Sequence, residues 1–322
     1  MHWGSTRALR ALAFLLSVSA LLVACDLPGP GGPPAAPAPG GASEEPSPSA
    51  SPEPSPSASP SDDTPTQPAE PSEPPGASEA PSAPAPDGYE LVWADEFDGT
   101  ALDTAKWNAR DNTRVDYDLA CITSDPDNLL VEDGVLVLRA RQERDTCGSA
   151  TRDYTVAYLD TIGKASFTYG RFEIRAKSPN GPDDSRGLWP AFWLRPDDGG
   201  NGEIDVVELP GGAQYYRAAT QAIFHSYSPS TKQDNRHTFA EGYPGDGFHT
   251  YPTEWSPDAL VWYIDGEEVY RRDRSTTPWF DDFQRPYNLR LNFQVGGWLG
   301  DPDASTVFPA DFVVDYVRVW QR

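Results

Sequence analysis

NGEIDVVELP, residues 201–210, places three acidic residues among apolar residues that are typical of a buried strand. Alternate side chains of a strand share a face, so Glu203 and Asp205 would lie together, with their apolar neighbours on the other face. Glu208 would fall on that apolar face, where an unpaired carboxylate is costly or becomes protonated. A one-residue β-bulge at Val206-Val207 would return it to the face of the other two acids. We therefore expect a bulged strand whose three carboxylates converge in one cleft.

Strand-like segments surround this stretch on both sides. Most alternate apolar and polar residues with period two, and Asp265-Gly266 is a strong two-residue hairpin signal. No long segment has convincing helical periodicity. Many strands without intervening helices predict an all-β fold, a sandwich of two antiparallel sheets. The predicted strands are YELVWADEF (89–97), GVLVLRARQ (134–142), YGRFEIRAK (169–177), WPAFWLRP (189–196), EIDVVEL (203–209), LVWYIDGEEVYRR (260–272), YNLRLNFQV (287–295) and DFVVDYVRVWQR (311–322).

The N-terminal segment, residues 1–25, is typical of an export signal. Two arginines precede an uncharged apolar run at 11–24, which is short for a membrane span. The run ends in LVAC, which resembles a bacterial lipobox in which Cys25 becomes the acylated first residue of the mature protein. The alternative is an ordinary signal peptide that ends near a cysteine. The lipobox reading predicts a cell-surface lipoprotein that contacts the membrane only through its lipid.

Residues 26–87 form a Pro-, Ser- and Ala-rich linker. They contain scattered acids and no Lys or Arg, and they cannot bury enough apolar surface to fold. At roughly 3.1 Å per residue the linker reaches at most about 190 Å. Residues 88–322 are then one domain's length of chain. We expect this extracellular domain to be a monomer.

Charge and cysteine content narrow the function classes. The net charge is −24, which argues against nucleic acid as a partner. The domain contains Cys121 and Cys147. In an exported protein a disulfide between them is expected, and two buried free thiols are the alternative.

Three converging carboxylates have three interpretations. They are a polar strand face of an acidic protein, a set of calcium ligands, or the acids of a glycosidase. Calcium sites usually draw on loop carbonyls rather than one regular strand. A retaining glycosidase needs two carboxyls about 5–5.5 Å apart, one to attack the anomeric carbon and one to protonate the leaving oxygen. A third acid between them would help to keep one neighbour protonated.

The domain resembles glycoside hydrolase family 16, and within it the laminarinase-like endo-β-1,3-glucanases. The motifs that carry the resemblance cover essentially the whole domain, and they occur in family order. They are LVWADEFDGTALDTAKWN (91–108), DNLLVEDGVLVLRA (127–140), YGRFEIRAK (169–177), GLWPAFWLRP (187–196), EIDVVE (203–208), HTYPTEWSPDALVWYIDGEEVY (249–270), NLRLNFQVGG (288–297) and VDYVRVWQ (314–321).

The resemblance implies a β-jelly roll with a concave cleft for a polysaccharide, a retaining mechanism and no catalytic cofactor. Glu203 matches the nucleophile and Glu208 the general acid and base. Asp205 lies between them, hydrogen-bonded to Glu203, and orients it and modulates its charge. Exposed indole faces suit the faces of sugar rings. The candidate sugar-binding residues are Trp189, Trp193, His225, Trp298, Asn128 and Arg171. His225 read alone also fits a core histidine, and Arg171 a charge pair with Glu173.

The resemblance further implies a structural calcium on the convex face, held by Glu96, the Gly134 carbonyl and Asp315. Two segments depart from the laminarinase pattern, ELPGGAQYYRAATQAIFHSY (208–227) and NFQVGGWLGDPDAST (292–306). No cluster of Arg and Lys suited to sulfate occurs in the variable loops, which favours a neutral β-glucan over a sulfated galactan. The alternatives are a galactan hydrolase of the agarase or carrageenase type, an envelope-glycan transglycosylase and a non-catalytic carbohydrate-binding domain.

Overall fold

A computed structural model describes residues 86–115 and 117–322. The predicted signal peptide, Cys25 and the linker up to residue 85 lie outside the described residues. In the described part, no helix is both long and apolar enough to cross a membrane.

The described chain consists of strands, with two short 3₁₀ helices at Phe280–Phe283 and Gly297–Leu299. Twenty strands follow one another along the chain. They are β1 (Glu90–Asp95), β2 (Asn108–Ala109), β3 (Ala120–Ile122), β4 (Leu129–Glu132), β5 (Val135–Ala140), β6 (Asp145–Cys147), β7 (Ala150–Arg152), β8 (Tyr154–Val156), β9 (Tyr158–Asp160), β10 (Ser166–Phe167), β11 (Gly170–Lys177), β12 (Leu188–Pro196), β13 (Glu203–Glu208), β14 (Ala218–Tyr227), β15 (Ser230–Thr238), β16 (His249–Trp255), β17 (Ala259–Ile264), β18 (Glu267–Asp273), β19 (Tyr287–Val295) and β20 (Ala310–Gln321).

Two eight-stranded antiparallel sheets form the sandwich. The outer sheet has the order β18-β17-β16-β11-β20-β5-β4, with β1 paired to β20. The cleft sheet has the order β15-β14-β13-β12-β19-β9-β2, with β10 paired to β19. The prediction of an all-β sandwich of two antiparallel sheets is confirmed.

Strand β12 shows how the cleft sheet acquires two different faces. Its even-numbered residues from Leu188 to Leu194 are buried in the core, and Phe192 is fully inaccessible. Its odd-numbered residues include Trp189 and Trp193, which are only partly buried and line a cavity. The period-two pattern of WPAFWLRP therefore separates a core face from a functional face.

Sequence periodicity located some strands better than others. YNLRLNFQV forms β19 over the predicted residues, and β20 differs from its prediction by one residue at each end. The hairpin of β14 and β15 was missed. Strand β15, STKQDNRHT, is polar throughout and lies at the edge of the cleft sheet, so it lacks the apolar residues that mark a strand.

The predicted disulfide is confirmed. Cys121 and Cys147 are joined at an S–S distance of 2.08 Å, with their Cα atoms 5.5 Å apart. The bond connects β3 to β6 and closes a loop with a sequence separation of 26 residues. Both cysteines are buried, so the bond is shielded from solvent.

Candidate active site

The acidic strand β13 contains the predicted bulge. Asp205 pairs with Trp193 of β12 while Val207 pairs with the preceding Phe192, so Val206 is the extra residue. On the other side, the register with β14 also shifts between Asp205 and Glu208. Both valines are buried in the core. The extra residue thus turns Glu208 to the same face as Glu203 and Asp205, as the sequence predicted.

All three carboxylate side chains line one cavity of about 650 Å³ on the cleft sheet. A cavity of this size is typical of a ligand site. Its walls combine aromatic rings, amides and the acids. The lining residues are Tyr117, Trp189, Ala191, Trp193, Glu203, Asp205, Glu208, Phe224, Tyr227, Asn292, Gln294, Gly297 and Trp298.

Glu203 has a hydroxyl and a guanidinium as partners. The Tyr227 hydroxyl donates a hydrogen bond to its Oε2 atom. Arg195 Nη1 lies 3.6 Å from the same oxygen and also hydrogen-bonds to Tyr227. Both contacts stabilise the ionised form of Glu203.

Glu208 has neutral donors instead. Trp189 Nε1 donates to its Oε1 at 2.9 Å, and Thr220 Oγ1 donates to its Oε2 at 3.0 Å. The contacts hold the carboxyl group in the cleft without a guanidinium in direct contact. The two glutamates therefore sit in different electrostatic environments.

The backbone of Asp205 is tied to the opposite sheet. Trp262 of β17, which is buried, donates from Nε1 to the Asp205 carbonyl oxygen at 2.8 Å. A bulge disrupts the sheet ladder, and this bond satisfies a carbonyl beside it. The Tyr227 hydroxyl occupies Glu203 Oε2, and the predicted hydrogen bond between the Asp205 carboxyl and Glu203 stays a prediction.

Burial raises the pKa of all three carboxyls. It raises the pKa of Glu203 to about 7, although Tyr227 and Arg195 oppose the shift. Burial and then the charges of the two glutamates raise the pKa of Asp205 well above its usual value. Burial also raises the pKa of Glu208, against its hydrogen bonds from Thr220 and Trp189. The cluster therefore carries fewer than three negative charges near neutral pH.

The three tryptophans predicted to bind sugar all lie in the cleft. Trp193 Nε1 donates to Asn292 Oδ1 at 2.6 Å, which fixes its ring. Trp298 is 49% exposed and packs its ring edge-to-face on Trp189, with centroids 5.6 Å apart. The exposed rings offer apolar faces to a sugar.

His225 does not line the cavity of the cleft. The register of β14 with β15 shifts between Phe224 and Ser226, so a second bulge lies at His225. Its Nδ1 is 2.5 Å from Asp282 Oδ2, and its ring is 5.7 Å from that of Trp279. The bulge brings Tyr227 into the cavity lining together with Phe224, whereas His225 is not part of that lining, and its predicted contact with sugar stays a prediction.

Asn128 and Arg171 were also wrongly predicted to contact sugar. Asn128 is fully buried and donates to the Arg139 carbonyl and to Thr155, so it fixes a turn. Arg171 lies on β11 of the outer sheet, and forms ion pairs with Glu173 at 2.7 Å and Glu254 at 3.0 Å. The alternative reading of Arg171 as part of a charge pair describes it correctly.

Strand pairing places the three residues predicted to hold calcium near one another. Strand β1 ends at Asp95 opposite Val317, and β5 pairs Leu136 with Val314, so Glu96 and Gly134 flank the segment that contains Asp315. Their side chains are engaged: Glu96 receives two hydrogen bonds from Arg318, and Asp315 one from Arg175 at 2.6 Å. In the described structure no group of three or more His, Cys, Asp or Glu residues is arranged to hold a metal ion. The side chains as placed do not form an open oxygen cage, and calcium binding there stays a prediction.

Arg195 and Tyr227, the two partners of Glu203, are among the site residues that sequence reasoning missed. Arg195 continues the odd-numbered, cleft-facing series of β12, so its position could have been found by alternation. Tyr227 reaches the cleft only because of the bulge at His225, for which the sequence carries no signal.

Comparison with known proteins agrees with this architecture. The model of the family described as glycosyl hydrolases family 16 matches residues 117–318. A beta-glucanase from Rhodothermus marinus is 37% identical over 266 residues, which cover 72% of this chain and 85% of the relative.

Two solved structures resemble the chain closely. The catalytic domain of an endo-1,3-beta-glucanase (laminarinase) from Thermotoga petrophila RKU-1 is 30% identical, with a TM-score of 0.64 over 72% of this chain and 98% of that one. The laminarinase from Rhodothermus marinus is 35% identical, with a TM-score of 0.61 over 72% and 97%. The family model matches most of the folded part, and the beta-glucanase relative is 37% identical over 72% of this chain. The chain therefore belongs to glycosyl hydrolase family 16.

Proposed function

We propose that the chain is a retaining endo-glycosidase that hydrolyses internal bonds of a β-1,3-glucan or a mixed-linkage β-glucan. The observation that carries this proposal is the convergence of three carboxylates in a tryptophan-lined cleft. The names of the relatives, a beta-glucanase and two laminarinases, support the choice of β-glucan.

Glu203 is the nucleophile in this mechanism. The Tyr227 hydroxyl and Arg195 favour its anion and engage Oε2, which leaves the other oxygen to attack the anomeric carbon. The new C–O bond forms a glycosyl-enzyme intermediate as the glycosidic C–O bond breaks. Tyr227 and Arg195 are thus positioning residues for the nucleophile.

Glu208 is the general acid. Burial raises its pKa, and neither of its hydrogen-bond donors is charged, so it holds a proton more readily than a solvent-exposed glutamate. It gives this proton to the leaving oxygen. In the second step it takes a proton from water, and the water oxygen attacks the anomeric carbon and releases Glu203.

Asp205 acts through charge. Burial, and then the charges of Glu203 and Glu208, raise the pKa of Asp205, so ionisation of one of these carboxyls disfavours ionisation of the others. A negative charge on Asp205 disfavours ionisation of Glu208 while Glu203 is already ionised.

The cleft favours a neutral glycan over a sulfated one. Arg195, the cation nearest to the nucleophile, is already engaged by Tyr227 and Glu203. A sulfate group would have to compete with Glu203 for this guanidinium. The neutral hydroxyls of a glucan do not compete with Glu203 for this guanidinium.

The location of the enzyme rests on the sequence. The LVAC motif supports a proposal that Cys25 is lipidated and that the linker holds a monomeric domain outside the membrane. Mass spectrometry of the mature N-terminus tests this. A free α-amino group on a residue other than Cys25 would reject the anchor.

Product analysis with the full chain tests the activity. Laminarin, lichenan, agarose and carrageenan are incubated in parallel, and new reducing ends are measured. We expect cleavage of laminarin or lichenan, with the β-anomer formed first as seen by proton NMR. Turnover of galactans alone would reject the substrate, and an initial α-anomer would reject retention. Products larger than the substrate would indicate transglycosylation.

A further inference from the structure

A second depression of about 600 Å³ adjoins the catalytic cleft. Its lining residues come from three segments, within 182–186, 211–215 and 299–305. Two of these segments belong to the stretches that depart from the laminarinase pattern, 208–227 and 292–306. The variant loops of this chain therefore build a feature of their own beside the catalytic residues.

A row of aromatic rings leads from the general acid to this depression. Trp189 donates to Glu208, and Trp298 packs edge-to-face on Trp189. Tyr215 in turn packs edge-to-face on Trp298, with ring centroids 5.1 Å apart. Trp298 lines the cleft and Tyr215 lines the second depression. The two spaces thus share a wall of the ring type that sugars favour.

The floor of the depression is rigidly held. Gly211 N donates to the Leu188 carbonyl at 2.8 Å, and Gly212 N donates to Ser185 Oγ at 2.9 Å. A Cβ atom on Gly211 would lie 2.1 Å from the Ser185 carbonyl oxygen, so only glycine allows this close backbone approach. The loop is fixed against β12, and a ligand would meet a preformed surface.

The rim is polar and carries no excess of positive charge. Asp183, Gln214 and Ser305 are exposed and line the space. Arg186 lies 3.7 Å from Asp303, which offsets its charge. Carboxylate, amide and hydroxyl groups around an aromatic ring can bind the hydroxyls of a neutral sugar. An anionic ligand would gain little here.

We propose that this depression, which we call the side site, binds glucosyl units of the same polysaccharide whose backbone occupies the catalytic cleft. The units reach it across the Trp298–Tyr215 wall, either as the continuing main chain or as a branch. The inference rests on the proposed function, since it takes its ligand from the substrate. The side site would add affinity for long or branched glucans without touching the scissile bond.

The test blocks the side site in the full chain. Ala213 is exposed and lines the space, so Ala213→Trp fills it without displacing core residues. The matched control is Ala101→Trp, an exposed alanine in the loop after β1 that lines neither cavity. We expect KM for laminarin to rise about tenfold in Ala213→Trp, as when a contact of ordinary strength is lost. Its kcat/KM for a linear laminari-tetraose should equal that of wild type and of Ala101→Trp.

Two further substrates distinguish binding of a branch from binding of the main chain at the side site. If a branch is bound, KM rises for β-1,6-branched laminarin but stays unchanged for a linear β-1,3-glucan of equal length. If the main chain is bound, KM rises for both. Equal KM values for Ala213→Trp and wild type on every polymer overturn the inference, as does an equal loss on polymer and tetraose.

Failure of the proposed function gives a different result. In that case the wild-type chain cleaves none of the β-glucans. The same comparison of Ala213→Trp, Ala101→Trp and wild type is then made on whichever polysaccharide of the panel is cleaved or, without cleavage, by retardation in gels that contain each polysaccharide. No difference between the variants there overturns the side site independently.

Discussion

The acids of β13 and a group of acids on the outer sheet lie in opposite surroundings. On and beside the outer sheet, four acids are each matched with an arginine at hydrogen-bond distance. On the cleft sheet three acids share one strand, and the nearest guanidinium, that of Arg195, lies 3.6 Å from Glu203. The outer pairs are Glu96–Arg318, Glu173–Arg171, Asp315–Arg175 and Asp311–Arg139, all at 2.6–2.7 Å.

This difference assigns different roles to the two groups of acids: the paired acids contribute to stability and the acids of β13 to chemistry. Burying a carboxylate that no arginine meets at hydrogen-bond distance is costly, so the pKa of each acid on β13 is raised. The paired acids of the outer sheet avoid that cost. A hydrolase needs one acid that is still protonated and one that is ionised at the same pH, and an arginine beside each acid would ionise both. The unpaired cluster is thus expected to cost stability and to enable catalysis.

The largest expected effect is the loss of activity in Glu203→Gln. Removing the nucleophile should lower kcat on laminarin by at least about 10⁴-fold. The same change on the outer sheet, Glu173→Gln, is the matched control and should leave kcat at 25 °C near that of wild type. Initial rates of reducing-end release measure both. Substantial turnover by Glu203→Gln would contradict the assigned role.

The second prediction concerns the free energy of unfolding. Substitution of an acid on the cleft sheet should raise it, and substitution of an acid on the outer sheet should lower it. Asp205→Asn removes a buried, unpaired charge and should raise the free energy of unfolding at pH 8 by about 1–3 kcal/mol. Glu173→Gln removes one of the two carboxylate partners of Arg171 and should lower the free energy of unfolding by about 1–3 kcal/mol. Urea unfolding of the full chain, followed by tryptophan fluorescence, compares them.

The pH dependence of that gain has a definite sign. A carboxyl whose pKa is raised by folding binds protons more tightly in the folded state, so stability falls as pH rises above the unfolded value. For Asp205 this loss begins as the pH rises above the ordinary pKa of 3.8, because burial raises the pKa of Asp205 in the folded state. The advantage of Asp205→Asn should therefore be present at pH 8 and small at pH 4. An equal gain at both pH values would count against unpaired charge as its cause.

A smaller effect is expected from Tyr227→Phe. The variant removes a hydrogen bond that lowers the pKa of Glu203, so more of the nucleophile is protonated near neutral pH. The acidic limb of kcat/KM should move upward by about one pH unit, with little change at high pH. Tyr251→Phe removes a buried hydroxyl outside the cleft and is the matched control. A uniform loss at every pH would point to damaged structure instead of altered ionisation.

The smallest effect is expected for calcium on the outer sheet. The ion would have to replace Arg318 on Glu96 and Arg175 on Asp315, so binding should be weak. Calcium at 10 mM, compared with EGTA, should raise the free energy of unfolding by at most about 1 kcal/mol. Magnesium at equal concentration controls for ionic strength. A much larger stabilisation would show that calcium readily displaces Arg318 and Arg175 from the two carboxylates.

Local pattern was sufficient to predict the bulged acidic strand β13. The irregular spacing of Glu203, Asp205 and Glu208 predicted the bulge, since a buried carboxylate has to be turned out of the core. The alternation in β12 placed Trp189 and Trp193 in the cleft. These features depend on neighbours in the chain, so periodicity alone reveals them.

Other features depend on contacts between distant segments. Tyr227 lines the cleft because β14 is bulged against a polar edge strand. Arg171 was assigned to the wrong sheet because alternation identifies two faces without saying which sheet a strand joins. The sequence by itself determined the all-β class, the acid cluster and the tryptophans of the cleft. Only the tertiary structure decided which charges meet, because strand order and edge bulges follow from the packing of the two sheets as a whole.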